Sequence, residues 1–463
     1  MLRKIFFDIL IGGIIICVRR FMLSTVSTKK YLEYPDIKEI YTSGCKKNKS
    51  DFEVGLEYER LPVKSKTFKA ADYYEQNGIY EFLRAFAREE NWDYITDDFN
   101  IIGLKQGHNT ITLEPGCQVE FSIKPQKKIA DLKKYAESLD EKITPILNQM
   151  GITLLNYGVS PLSTNKTINL IPKRRYEVMA KYLWGILSDV MMRETAGIQG
   201  TFDFESEPDA MQKFKIANML SPFMTAMFAN SPIRGGVDTG YKSFRALSWL
   251  NTDNDRCGFY TDFKSDETFD DYISRVTETP MIFINRGGCP ISLGGKLDFK
   301  EFMIGGKNEF YPEMDDYLLQ ANLCFPEVRL RNFIEVRNHD CGSKDAPYSM
   351  LAIYKGILYG DNAMAEIEEL LNGITLNELN ELRYNVPKTA LNTKFGKYYV
   401  KDFAKEILYI AEKSLIAQNL GEEKFLDYIK SYTLEGISPA DVILKNWYGK
   451  WNKDLSKLIE FIS

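Results

Sequence analysis

Two glutamates at two-residue spacing are the first feature of this sequence that could do chemistry. Glu57 and Glu59 lie in the segment VGLEYER (54–60), whose alternating side chains are typical of a β-strand. Residues two apart on a strand point to the same side, so we expect both carboxylates to face one cleft. A buried carboxylate is costly unless it meets a cation, and hard oxygen ligands favour Mg²⁺, with Mn²⁺ as the alternative.

Three further carboxylates lie in segments of the same kind. Glu114 and Glu120 share a parity within residues 110–123, although a Pro-Gly pair interrupts that strand pattern. Glu335 lies between apolar residues in FIEVR and is followed by Arg337. Each glutamate alone could be a solvent-facing strand residue paired with lysine. Together the five predict a magnesium site.

The elements that must hold these groups can be read from hydrophobic periodicity and capping signals. A helix is expected to open at Ser206, where SEPD resembles a capping box with an early proline. The remaining predicted elements are strands over 52–63, 110–123, 197–204 and 327–336, helices over 70–92, 129–150 and 175–192, and a nearly all-helical remainder from about residue 347.

The predicted organisation has three parts. Residues 1–30 form an apolar extension, residues 31–345 a catalytic α+β body, and residues 346–463 a helical C-terminal part packed on the same body. The apolar run at 5–18 is short for a membrane span and contains Asp8. It could be an anchor, a signal, or upstream sequence before a true start at Met22. Apart from that run, no membrane association is expected.

Composition excludes several classes of function. The 463 residues carry 59 basic and 64 acidic side chains, a balance that argues against a nucleic-acid-binding protein. Seven scattered cysteines without a CxxC motif favour a reducing compartment, and we expect a cytoplasmic protein. Only two histidines occur, which disfavours a zinc site. The sequence leaves monomer and homodimer open.

No glycine-rich phosphate loop is present. The sequence contains neither GxxxxGK[ST] nor a GxGxxG between a strand and a helix, and its glycine pairs are typical of turns. ATP could still bind, because carboxylates can hold bridging magnesium ions while arginines neutralise the remaining phosphate charge.

Seven motifs in order resemble the plant-type glutamate–cysteine ligase family. The resemblance runs from about residue 50 to 360, and it rests on the combination, since no single motif is specific. The motifs are GLEYER (55–60), LEPGCQVEFS (113–122), PKRRY (172–176), residues 192–232 ending in FANSP, SFRALSW (243–249), TDNDRCG (252–258), and FPEVRLR (325–331) with IEVR (334–337).

The resemblance implies a glutamine-synthetase-like fold, with a curved antiparallel sheet that forms a funnel and helices outside it. It implies that ATP phosphorylates the γ-carboxylate of glutamate with Mg²⁺, and that the amine of cysteine attacks the acyl phosphate. The product, γ-glutamylcysteine, would feed the synthesis of glutathione or a related thiol.

The resemblance also implies roles for single residues. Glu57, Glu59, Glu114, Glu120 and Glu335 match the family's metal ligands, and Gln199 would add an oxygen. Arg175 and Arg245 would hold the glutamate substrate, Trp249 would form a wall of its pocket, and Arg337 would contact ATP phosphates; Arg245 and Arg337 would also serve catalysis. Each role is assigned because the residue lies at a position that matches the family pattern, which holds for Arg175, Arg245, Trp249, Arg337, Gln199 and the five glutamates.

The chain departs from the family pattern in three places. It reads TAGIQGT (195–201) where TCTVQVN is usual, Asn285 precedes Arg286 where tyrosine is common, and EVRNHD (335–340) replaces EMRGAD. The first two changes lie where the amine acceptor is expected. A related carboxylate–amine ligase with another acceptor or donor is therefore the alternative, followed by a non-catalytic homologue.

Overall fold

The molecule is built on seventeen helices and seventeen strands within the described residues, 32–294 and 296–463 of a computed structural model. The strands are β1 (Val54–Lys64), β2 (Asp93–Asp97), β3 (Asn100–Gln106), β4 (Asn109–Leu113), β5 (Val119–Gln126), β6 (Ile152–Leu155), β7 (Gly197–Phe202), β8 (Ile233–Arg234), β9 (Val237–Asp238), β10 (Cys257–Gly258), β11 (Ile284–Arg286), β12 (Cys289–Ile291), β13 (Phe325–Pro326), β14 (Val328–Leu330), β15 (Ile334–Asp340), β16 (Lys394–Phe395) and β17 (Tyr398–Tyr399).

The helices surround these strands and make up most of the C-terminal third. They are α1 (Tyr34–Thr42), α2 (Ile79–Glu90), α3 (Ile129–Gln149), α4 (Arg174–Tyr182), α5 (Ser188–Glu194), α6 (Glu207–Met227), α7 (Phe244–Leu250), α8 (Phe269–Glu278), α9 (Phe299–Gly305), α10 (Met314–Asn322), α11 (Ala346–Leu358), α12 (Ala363–Leu370), α13 (Leu376–Thr389), α14 (Val400–Gln418), α15 (Asp427–Thr433), α16 (Pro439–Tyr448) and α17 (Leu455–Ile462).

One large antiparallel sheet forms the core. Its order is β14-β15-β7-β1-β5-β4-β3-β2, and β6 pairs with the far end of β1. The side chains of Leu56 and Tyr58 point to one face, which is buried under α3 and α11. The alternate residues of β1, including Glu57 and Glu59, lie on the other face. The α+β class, the antiparallel sheet and the helical C-terminal part are thus confirmed.

Three predicted elements differ from the structure for local reasons. The expected helix over 70–92 begins only at Ile79, because Asp72 and Glu75 hydrogen-bond to nearby backbone amides and hold residues 72–78 in turns. The expected helix over 175–192 is two helices, since the backbone at Gly185 bonds to Thr252 instead. The strand over 327–336 is a hairpin of β14 and β15.

The predicted helix start at Ser206 is confirmed, since its side chain caps α6 by accepting from the backbone amide of Asp209. None of the helices in residues 32–294 and 296–463 is long and apolar enough to cross a membrane. The apolar extension 1–30 lies outside the described residues, and the division at residue 345 stays a prediction.

Candidate active site

The functional residues predicted from sequence meet on the open face of the sheet. Arg245 lines a smaller cavity of about 40 Å³ next to the main one, and the two cavities share Trp249 and Arg337 in their walls. The main cavity, of about 320 Å³, is lined by the other nine predicted residues: Glu57, Glu59, Glu114, Glu120, Glu335, Gln199, Arg175, Trp249 and Arg337.

Strand register brings the acidic residues together. Glu59 on β1 lies directly opposite Glu120 on β5, and Glu57 lies opposite Gln199 on β7. Directly opposed residues on antiparallel strands share a face, so these side chains converge although they are far apart in sequence. Glu114 lies in the turn that joins β4 to β5 and reaches the same cavity.

The electrostatics of this acidic group favour its protonated, uncharged form. Burial raises the pKa of Glu57 to about 7, and the charge of Glu335 adds to the effect. Burial, together with the nearby charges of Glu114 and Glu120, raises the pKa of Glu59 to about 8. Burial also raises the pKa of Glu120 to about 8, with Glu114 and Glu57 contributing. If these three carboxyl groups are to be ionised at the same time, a cation must lie beside them.

The donor chemistry of this group fits Mg²⁺. Glu57 makes no side-chain hydrogen bond or ion pair with any described residue, and Glu59 accepts only from the Gly197 amide and the Gln199 side chain. Among the described residues no three acidic, histidine or cysteine side chains form a ready-made metal cage. Mg²⁺ is usually held by one or two carboxylates plus substrate phosphates, so a site completed by a nucleotide suits these residues.

Glu335 has a different environment from the other carboxylates. Burial opposes its ionisation, but the charges of Arg329, Arg337 and Arg331 outweigh burial and lower its pKa to about 2. Arg337 also donates to Gln199 Oε1 at 2.7 Å. The site therefore has an acidic half on β1 and β5 and an arginine-rich half on β14 and β15.

A third group of side chains offers unused hydrogen-bond donors. Within the described chain, the Nε atoms of Arg175 and Arg245 and the Nε1 atom of Trp249 are buried without partners. The guanidinium of Arg175 donates to the Tyr176 hydroxyl at 3.3 Å, and that of Arg245 donates to the Arg337 carbonyl at 3.0 Å. Buried donors without partners suit an anionic ligand such as a carboxylate.

Local structure places these donors. Arg175 lies in the first turn of α4, at the cavity wall. Arg245 lies in the first turn of α7, whose N-terminus is capped by Ser243, which accepts from the Ala246 amide at 3.0 Å. Gly197 leaves room for the Arg245 side chain, because a Cβ at residue 197 would lie 2.3 Å from Arg245 Nη2.

Sequence reasoning missed several residues of the cavity wall. Arg329, Arg331 and Tyr176 line the cavity but are not among the site residues predicted from sequence, although all three lie in motifs of the family resemblance. Tyr176 donates to Glu114 Oε1 at 3.3 Å. The missed signal was the two-residue spacing of the arginines, the same spacing that marked Glu57 and Glu59.

The fold is that of a glutamate–cysteine ligase. The solved structure of glutamate–cysteine ligase from Francisella tularensis, a complex with AMP, is similar with a TM-score of 0.54 at 16% identity, covering 90% of this chain and 89% of that one. A bifunctional glutathione synthetase from Pasteurella multocida is similar with a TM-score of 0.51 at 12% identity, covering 94% of this chain and 53% of that one.

The chain belongs to glutamate–cysteine ligase family 2, whose model matches residues 53–460. Similar curated relatives are glutamate–cysteine ligase B, chloroplastic, of Oryza sativa (32% identity, 92% of this chain and 86% of the relative) and the chloroplastic enzymes of Medicago truncatula (33%, 92% and 84%) and Arabidopsis thaliana (31%, 92% and 82%). The predicted family and enzyme class are therefore confirmed.

The predicted cytoplasmic location is wrong by the same comparison, because these three relatives are chloroplastic enzymes. The prediction rested on cysteine usage, and the six described cysteines are indeed free thiols. Free thiols report a reducing environment and do not identify the compartment that provides it.

Proposed function

We propose that this chain joins the γ-carboxylate of glutamate to the amine of cysteine at the expense of ATP and with Mg²⁺, and so supplies γ-glutamylcysteine for glutathione synthesis. The observation that carries the proposal is the division of one cavity into three kinds of surface. Unneutralised carboxylates suit magnesium, an arginine cluster suits phosphates, and unpartnered donors suit a substrate carboxylate.

In the first step a γ-carboxylate oxygen of glutamate attacks the γ-phosphorus of ATP, and the bond to ADP breaks. Arg175 and Arg245 are proposed to bind the substrate through a guanidinium fork, with Trp249 as the neighbouring wall. Arg337 would face the phosphates and offset charge on the transferred group. The residues that would hold magnesium are Glu57, Glu59, Glu114, Glu120, Glu335 and Gln199. When bound, the metal would offset charge on the transferring oxygens.

In the second step the acceptor nitrogen attacks the acyl carbon, loses a proton and expels inorganic phosphate. The burial of the site supports this sequence, because an acyl phosphate that meets bulk water is hydrolysed before it meets an amine. Arg245 is 4% exposed and Glu335 is 3% exposed, so the reacting centre lies well below the surface.

One observation favours a second candidate, a ligase of this family with another amine acceptor. Gly197 stands where the family usually has threonine. Because it has no side chain, the Arg245 guanidinium occupies the space that a side chain at residue 197 would fill. The pocket beside Arg245 is thereby reshaped near the expected acceptor.

The test is a screen of acceptors. ADP release is measured with ATP, Mg²⁺ and glutamate, alone and with cysteine, alanine or 2-aminobutyrate. Cysteine is expected to stimulate ADP release most strongly. Stimulation by alanine or 2-aminobutyrate without stimulation by cysteine would support the second candidate and contradict the first.

A further inference from the structure

Three arginines share one carboxylate at the end of the sheet. Arg329 Nη1 lies 3.4 Å from Glu335 Oε1 and 3.5 Å from Oε2, and Arg331 Nε lies 3.3 Å from Oε2. Arg337 forms a third ion pair with Oε1. Arg329 is opposite Glu335 across the β14–β15 hairpin, so the pairing is built into the strand register.

This cluster carries more positive charge than it neutralises. One carboxylate faces three guanidinium groups, of which Arg329 is 5% exposed. The other hydrogen bonds of the arginines are to uncharged groups. Arg329 Nη2 donates to the carbonyl of Cys324 at 2.8 Å, and Arg337 donates to the side chain of Gln199. Buried excess charge of this kind destabilises a fold unless a ligand of opposite charge uses it.

Glu335 cannot serve two partners at once. It is among the predicted magnesium ligands, yet both of its oxygens are paired with guanidinium groups. In contrast, Glu57 in the same cavity has no ion pair within the described chain. Glu335 can therefore reach a metal only if the arginines acquire another anion.

We propose that Glu335 is a placeholder for the polyphosphate of the nucleotide. In the protein without nucleotide its carboxylate holds Arg329, Arg331 and Arg337 in a common orientation. When a nucleotide binds, its phosphate oxygens replace the carboxylate on the arginines, and Glu335 turns toward the accompanying Mg²⁺. Nucleotide and metal then bind cooperatively. The phosphates free Glu335 from the arginines for the metal, and the metal keeps Glu335 from competing with the phosphates for the arginines. The inference deepens the proposed function and rests on it.

The proposal predicts that removing Glu335 strengthens binding of nucleotide without metal. Calorimetric titration with adenylyl imidodiphosphate in excess EDTA would compare the wild type with Glu335→Gln. We expect the variant to bind at least about tenfold more tightly, because three charge-assisted donors no longer have a competing acceptor. Titration with Mg²⁺ present is expected to reverse this order.

Glu57→Gln is the matched control. It removes one carboxyl group from the same cavity without freeing an arginine. Equal tightening by Glu57→Gln and Glu335→Gln would overturn the proposal, as would no tightening by Glu335→Gln.

Arg331→Gln gives an independent readout at a side chain that is 36% exposed. We expect about tenfold weaker metal-free binding, partly restored by Arg331→Lys; unchanged binding would contradict the proposal. If the wild type binds no nucleotide even with Mg²⁺, the proposed function fails as well. If the wild type binds nucleotide but Glu335→Gln and Glu57→Gln do not differ as expected, the placeholder role of Glu335 is contradicted and the proposed function is not.

Discussion

At the scale of single residues, the site depends on close approach of side chains to backbone. Gly197 on β7 illustrates this, because its amide donates to Glu59 Oε2 at 2.6 Å while the Arg245 guanidinium covers its Cα. One residue thus sets the distance between an acidic group and Arg245, the arginine that we propose binds the substrate.

Replacing Gly197 with alanine is expected to displace the Arg245 guanidinium, since the new Cβ would lie 2.3 Å from Nη2. Because that group is the end of a flexible side chain, substrate binding suffers more than folding. Initial-rate kinetics should show the KM for glutamate raised about tenfold through loss of a charge-assisted contact.

Gly200→Ala is the control, since it lies on the opposite face of β7 against Met350 and Leu351. It is expected to lower the free energy of unfolding by about 1–3 kcal/mol through overpacking, with the KM unchanged. Equal effects of both variants on the KM would contradict the role given to Gly197.

His339 on β15 gives the stability a pH dependence. Burial, with the charge of Arg245 adding, lowers its pKa to about 3, well under its ordinary value of 6.5. Between these pH values the unfolded chain binds a proton at His339 that the folded protein does not, so the contribution of His339 to stability falls as pH falls below 6.5. From pH 7 to pH 5 this residue costs about 2 kcal/mol of unfolding free energy.

His339→Leu is expected to remove that loss, because leucine does not titrate and still packs against Phe228 and Tyr354. Urea unfolding at pH 7 and pH 5 would show that the change in unfolding free energy between the two pH values is about 2 kcal/mol more favourable to the folded state in the variant than in the wild type. The same change in both proteins would show that His339 is not the group that titrates.

At the scale of elements, the proposed substrate-binding residues are positioned by the junction of α4 and α5 with α7. The two helices are separated at Gly185, whose amide donates to the Thr252 carbonyl at 2.9 Å just after α7 ends. This junction fixes Arg175, on α4, relative to Arg245 and Trp249, on α7.

Gly185→Ala is expected to force the junction apart, since a Cβ there would lie 2.1 Å from the carbonyl oxygens of Asn251 and Thr252. Backbone atoms cannot move aside cheaply, so unfolding free energy should fall by about 1–3 kcal/mol and the KM for glutamate should rise. Ile186→Ala, at a side chain that is 87% exposed, is the control and should change neither. An unchanged denaturation midpoint for Gly185→Ala would contradict this account.

At the scale of the whole molecule, the helical C-terminal part is joined to the sheet. The helix α11 is buried throughout and packs on β1 and β7. Arg383 of α13 forms an ion pair with Glu327, which lies between β13 and β14. We therefore expect the chain to unfold cooperatively.

Arg383→Gln is expected to lower the free energy of unfolding by about 3 kcal/mol, because it leaves the nearly buried Glu327 without its partner. The double variant with Glu327→Gln should recover part of that loss in a double-mutant cycle. Additive effects of the two single substitutions would show that the ion pair does not join the two parts.

How far the sequence predicts this molecule depends on the range of the interaction. Local spacing predicted correctly that Glu57 and Glu59 share a face, and that Ser206 caps a helix. The pairing of Glu57 with Gln199 depends on strand register, which only the family resemblance indicated. Arg329 and Arg331 show the same two-residue spacing, but their approach to Glu335 could not be predicted, because the turn between β14 and β15 has no glycine or proline to mark it.

The proposed activation of the glutamate γ-carboxylate by phosphoryl transfer can be tested directly. Glutamate labelled with oxygen-18 in the γ-carboxylate is supplied with ATP, Mg²⁺ and cysteine, and the released phosphate is examined by mass spectrometry. An acyl phosphate predicts that each phosphate formed with product carries one labelled oxygen taken from glutamate. Product formation with unlabelled phosphate would contradict the claim.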